Sequence, residues 1–198
     1  MNYPEARDFI INKLTNELKP NLTYHSIEHT MDVLNAATHL ADLEKVGEHD
    51  RIILETAALF HDSGMLRTYI GHEDASVDIT KEILPEFGYD AKDIDLICEM
   101  IITTKLPQSA SNFLEQILCD SDLDYLGRED FFMIAHQLKY EWNILNIRPT
   151  TLREWYELQI LFLENHSFFT ESSRKLRDEG KAANLRQVQE LVCFMGSK

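Results

Sequence analysis

Three short segments carry side chains that could do chemistry together. "YHSIEHT", Tyr24 to Thr30, sets His25 and His29 four residues apart at the head of an apolar-periodic stretch. "LFHDSG" places His61 and Asp62 side by side after the run "ETAALF". "CDSDLDYLG" carries Asp120, Asp122 and Asp124 at every second position. Imidazole and carboxylate donors in such a mixture suit a divalent transition ion. Each piece also has an ordinary structural reading. His29 precedes Val33 and Ala37 by four and eight residues, on the inward face of a helix. A buried imidazole there needs a partner, which a carbonyl or carboxylate also supplies. His61 and Asp62 close a helix, where the dipole favours His61 and Asp62 can cap the next loop. The D-x-D-x-D string suggests a calcium loop, but Tyr125 and Phe131 stand where an EF-hand needs Gly and Glu. On a helix, Asp122 follows Leu114 and Leu118 at inward spacings; the alternative is a solvated acidic helix end.

Read in order, H…HD…D, the segments from Tyr24 to Gly127 resemble the HD superfamily of metal-dependent phosphohydrolases. The resemblance implies that His29, His61, Asp62 and Asp122 are metal ligands. It implies one or two divalent ions drawn from Mn, Fe, Mg, Zn, Co or Ni. Asp120 is then placed to help hold a water or a second ion. His25 is similar to the histidine that protonates the leaving oxygen in the cyclic-nucleotide phosphodiesterase branch, so His25 and Asp62 are the expected catalytic pair. His72, in "YIGHEDAS", lies four before Ser76 and seven before Ile79, facing inward. It is expected to ligate a second ion or bind phosphate, with Glu73 orienting it. A helix start where Glu73 answers the dipole reads equally well. Lys105 and Arg67 are candidate phosphate contacts, and each also reads as a solvated cation.

The implied activity is hydrolysis of a phosphate ester, in a nucleotide or other small molecule, by a metal-activated water. A regulatory module that binds metal or nucleotide without turnover is the alternative. Several subfamily marks are missing. Met65 stands after Gly64, where the cyclic-di-nucleotide branch has Lys. "SGMLRTY" lacks the acidic pair of the guanosine-tetraphosphate hydrolases. The further histidine and proline of the classical cyclic-nucleotide branch are also missing. The substrate therefore stays unassigned.

These residues need helices to position them. The spacing predicts helices over 4–19, 26–45, 48–62, 73–86, 91–104 and 111–125, then 128–145, 150–166 and 171–194. Ser26 is the expected N-cap of the second, with Gly47 beyond its end. Gly64 is the expected stop of the third. Thr150 or Thr151 caps the eighth, and Gly180 is a possible break in the last. No run of alternating β-branched residues suggests a strand. The expectation is an all-α, single-domain helical bundle of the HD-domain, phosphodiesterase-like type. It spans 1–198, with a motif core of about 22–128 and a helical extension of about 129–198.

The bulk numbers fit. A chain of 198 residues builds its own core, and 44% hydrophobic with 27% charged is ordinary for a globular protein. A net charge of −15 argues against a nucleic-acid duplex as partner and opposes a free phosphate. A bound cation at the site would answer that opposition. No stretch approaches the ~18 apolar residues of a membrane span. Three scattered cysteines and no leader pattern suggest a cytoplasmic protein. A homo-oligomer is compatible with all of this. His39, His49, His136 and His166 have no motif context and read as structural.

Overall fold

The computed structural model describes residues 1–196. Among them all regular structure is helical, with no strand. The chain divides into two compact units, Met1–Asp122 and Leu123 onward.

The first unit holds α1 (Tyr3–Glu17), α2 (Ile27–Leu43), α3 (Glu48–Phe60), α4 (His72–Ile83), α5 (Ala91–Thr103) and α6 (Phe113–Asp122). Two 3₁₀ turns, Ser63–Leu66 and Leu84–Phe87, follow α3 and α4. Helix α3 is central, packing against α1, α2, α5 and α6. Ile53, Leu54, Ala57, Ala58 and Phe60 of α3 are sealed from solvent against Ile10, Ala37, Leu40, Ile97 and Leu118. Burying each large aliphatic side chain contributes about 1.5–3 kcal/mol. That packing, rather than helix propensity, fixes the three helix ends that carry the motif residues.

The second unit holds the 3₁₀ turn Asp124–Gly127, then α7 (Phe131–Ile144), α8 (Leu152–Asn165) and α9 (Glu171–Gly196). Thr151 and Glu154 form a reciprocal capping box at the start of α8. The expected break at Gly180 does not occur; α9 runs straight through it. The glycine is there for contact, since a Cβ would lie 2.0 Å from the Gly127 carbonyl oxygen. No described helix is long and apolar enough to cross a membrane.

Several boundaries differ from expectation. Helix α2 ends at Leu43, and Lys45, not Gly47, takes the left-handed conformation (φ 56°). Gly47 instead opens α3 with extended backbone. Helix α3 stops at Phe60 before Gly64, which sits inside the following 3₁₀ turn. The sixth helix begins at Phe113 and ends at Asp122. Glu115 accepts hydrogen bonds from Ser111 and from the Asn112 backbone N–H, closing the helix N-terminus.

Candidate metal centre

Each functional side chain stands at a helix end. The Ser26 hydroxyl accepts the His29 N–H at 3.4 Å and so starts α2 one turn before His29 is displayed. The Tyr24 ring stacks on His29 with centroids 4.7 Å apart. His61 follows the last residue of α3, and Asp62 turns the chain out of it. Asp122 is the last residue of α6, and His72 is the first of α4.

The distances show what this brings together. His29 Nε2 lies 3.4 Å from His61 Nε2. Asp62 Oδ2 is 3.5 Å from His29 Nε2 and 3.3 Å from His61 Nε2. Asp122 Oδ1 is 3.3 and 3.5 Å from the same two nitrogens. The other oxygen of Asp62, Oδ1, is 3.2 Å from His72 Nε2, and Glu73 Oε1 is 3.7 Å from that nitrogen. Two clusters could hold an ion: His29, His61 and Asp122, and beside it His25, Asp62 and His72. Donor atoms within each cluster lie within 4.8 Å of one another. The Asp62 carboxylate faces both.

The hydrogen bonds assign the ring protons. His61 Nδ1 pairs with the Ala58 carbonyl at 2.8 Å, and His72 Nδ1 with the Tyr69 carbonyl at 3.0 Å. A carbonyl only accepts, so both Nδ1 atoms donate, and in the neutral rings Nε2 carries the lone pair. Those lone pairs point at carboxylate oxygens in a buried place: His61 is 1% exposed, Asp62 7% and His29 9%. Acceptor facing acceptor without water is untenable unless a cation intervenes. In the metal-free protein the cation is a proton. Burial opposes charge on His61, but Asp62 and Asp122 outweigh it and hold its pKa well above the usual value. Burial likewise opposes charge on His72, and Asp62 still draws its pKa up to about 9. Burial would raise the two aspartates, but the histidines overcome it. Asp62 is held well below the ordinary carboxylate range, and Asp122 falls to about 2. A divalent ion can take the place of these protons, and imidazole with carboxylate is the donor set it prefers. The residues fit a metal.

Lys105 pairs with Asp74 at 2.6 Å, two residues past His72 on α4. Arg67 is paired with Glu82, 2.5 Å at the closer contact, on exposed surface. Asp120 is buried on α6 and belongs to neither cluster. Asp124 lies in the second unit, where Arg177 grips both its oxygens at 2.6 and 3.0 Å. Its role there is an ion pair. Gln108 escaped the sequence reading. Its amide donates to the Cys119 carbonyl at 3.1 Å and, more weakly, to Asp122 Oδ2 at 3.5 Å. It sits between α5 and α6 in a segment without periodicity, so no sequence signal marked it.

Comparison with known proteins agrees with this geometry. The model of the HD domain matches residues 26–123. That segment contains His29, His61, Asp62, His72 and Asp122, with His25 immediately before it. Over 81 residues the chain is 33% identical to an uncharacterized protein of Clostridium beijerinckii. The match covers 39% of this chain and 51% of that one, about half the relative's length. Two solved structures share the fold along nearly the whole chain. One is a predicted HD superfamily hydrolase from an uncultured Thermotogales bacterium (TM-score 0.63, 21% identity, 97% of this chain and 92% of that one). The other is Bacillus subtilis YpgQ in complex with ADP (TM-score 0.68, 19% identity, 96% and 95%). The solved structures share the helical fold, and the gathered His and Asp side chains lie in or beside the matched segment: this chain carries an HD domain over residues 26–123.

Proposed function

We propose that the protein is a metal-dependent phosphohydrolase acting on a nucleotide or another small phosphate ester. The carrying observation is the meeting of His29, His61, Asp62 and Asp122 at 3.3–3.5 Å in a buried pocket of donors. A group built only to bind a ligand does not need two carboxylates and two imidazoles turned on one point. The ADP in the YpgQ structure, a protein of the same fold, supports a nucleotide as the substrate class.

His29, His61 and Asp122 would hold a first ion, with Asp62 Oδ2 turned to the same two histidines. Asp62 Oδ1, His72 and His25 form a second seat beside it. Ions bound there supply charge neutralisation at the phosphate and a water of lowered pKa. With Asp62, His25 and His72 would hold a second ion; otherwise His25 would protonate the leaving oxygen and His72 would contact phosphate. The imidazole-rich donor set favours Mn, Fe, Co, Ni or Zn over Mg. Lys105, carried beside the first turn of α4, exchanges Asp74 for a phosphate oxygen. Arg67 is a secondary phosphate contact that must first leave Glu82. The buried thiols Cys98 and Cys119 and the exposed Cys193 form no disulfide, which suits the reducing cytoplasm.

The test is phosphate release from an aryl phosphate and a nucleotide panel by protein loaded with Mn²⁺. Turnover that chelation abolishes supports the proposal. A metal-loaded protein that turns over none of them, yet binds a nucleotide, would turn the reading to a regulatory module.

A further inference from the structure

The two seats are built by different elements. The first uses α2, the end of α3 and the end of α6. The second is formed by His25 before α2, Asp62 after α3 and His72, the first residue of α4. Helix α4 meets α3 only lightly; it packs chiefly on α5 and on the 3₁₀ turn next to the HD dipeptide, and that turn meets its first residues.

Gly64 lies two residues after Asp62 in the 3₁₀ turn Ser63–Leu66, which packs against α4. A Cβ at Gly64 would fall 1.9 Å from the His72 carbonyl oxygen and 2.6 Å from the Ser76 backbone nitrogen. The backbone of α4 therefore rests directly on the backbone of the turn. The Gly64 N–H donates to Ser76 Oγ at 2.7 Å, and Ser76 is fully buried. Gly64 does not have the positive φ that demands glycine, so its lack of a side chain serves this approach alone. The contact seizes α4 in its first two turns, at the residue that carries His72. It sits beside the residue that carries Asp62.

We infer that the Gly64–Ser76 clasp is the device that positions His72 against Asp62 and thereby sets whether the centre holds two ions or one. The inference rests on the two-ion reading above. Ser76 and Gly64 touch neither substrate nor ion; they are positioning residues. A side chain at Gly64 moves α4 outward, and the 3.2 Å approach of His72 Nε2 to Asp62 Oδ1 opens. Removing the Ser76 hydroxyl leaves the Gly64 N–H buried without its acceptor, which loosens the same approach. Neither change touches His29, His61 or Asp122.

The experiment compares wild type, Gly64→Ala and Ser76→Ala, each stripped of metal and titrated with Mn²⁺. Histidine ¹⁵N spectra of the metal-free proteins are recorded alongside. Wild type is expected to take two ions. In each variant the second ion should bind about 10–100-fold more weakly, the usual loss when groups that orient ligands are removed. The first ion should keep its affinity. The His72 ring signals should move while those of His29 and His61 stay. Should Gly64→Ala fail to fold, Ser76→Ala carries the comparison. Two ions held at wild-type affinity with an unmoved His72 signal overturn the clasp. Parallel loss of both ions from folded variants overturns it too, because the contact would then serve the whole centre. If wild type takes one ion only, the two-ion reading fails, and the His72 signal alone decides whether the clasp stands.

Discussion

Asp62 presents Oδ2 to His29 and His61 and Oδ1 to His72, so removing it acts on both seats at once. Asp62→Ala is expected to reduce turnover to background while the far-ultraviolet circular dichroism keeps its helical form. The residue lies outside α3, and no helical hydrogen bond depends on its side chain. Activity surviving in this variant would remove the catalytic role. His25 poses a different question, since its ring lies 5.2 Å from His72 and 6.4 Å from His29, between the ligand and proton-donor roles. As a proton donor it contributes ~10²–10⁴-fold to the rate. His25→Ala should then keep its metal and lose most on substrates with high-pKa leaving groups. If it is a ligand, the second ion is lost and good and poor leaving groups suffer alike. Metal content measured beside rates for a series of aryl phosphates separates these outcomes.

At the scale of elements, the sequence made helices legible and hid how they meet. Periodicity located every helix, and Ser26 and Thr151 cap α2 and α8 as their types suggest. Gly47, Gly64 and Gly180 misled, because a glycine reads locally as a stop. Gly64 and Gly180 instead answer a distant backbone, the start of α4 and Gly127 respectively. Such a contact leaves no trace in spacing. The same limit applies to the site. The types His29, His61, Asp62 and Asp122 were readable, since order and apolar lead-ins mark them. Gln108 on Asp122 and the division of the Asp62 oxygens depend on tertiary approach. Of the three aspartates in "CDSDLDYLG", only packing showed that Asp124 belongs to Arg177. Thr151→Ala breaks the capping box and should cost about 1 kcal/mol. Gly180→Ala drives a methyl into the Gly127 carbonyl and should cost about 1–3 kcal/mol. Denaturant melts check both, and a Gly180→Ala protein as stable as wild type would contradict the close approach.

The whole molecule contributes charge and pH response. With −15 formal charges, the protein's field repels a phosphate, which ions bound at the proposed centre would then attract. Screening should relieve that repulsion, so KM for a nucleotide should fall as NaCl rises from low ionic strength towards ~0.15 M. A KM that rises steeply with salt would mean that a local positive field dominates. Acid stability has a separate source in the second unit. His166 has both ring nitrogens buried without partners, packed by Phe162 and Phe168. Burial first, and Lys181 second, push its pKa down to about 4. The unfolded chain binds this proton near pH 6.5 and the folded one only near 4, so stability falls as pH drops through that window. His166→Phe should flatten the loss between pH 6.5 and 4 and leave the difference from wild type constant above pH 7. Melting temperatures across pH 4–8 decide it.

The central claim is that the gathered histidines and aspartates hold metal that hydrolyses a phosphate ester. It is tested most directly by phosphate release from a nucleotide panel, comparing metal-free wild type, wild type reloaded with Mn²⁺, and Asp62→Ala treated with Mn²⁺ in the same way. Release from at least one nucleotide by the reloaded wild type alone is the predicted result. Equal release in all three states, or a reloaded wild type that carries its metal and releases nothing from any substrate, would contradict the account.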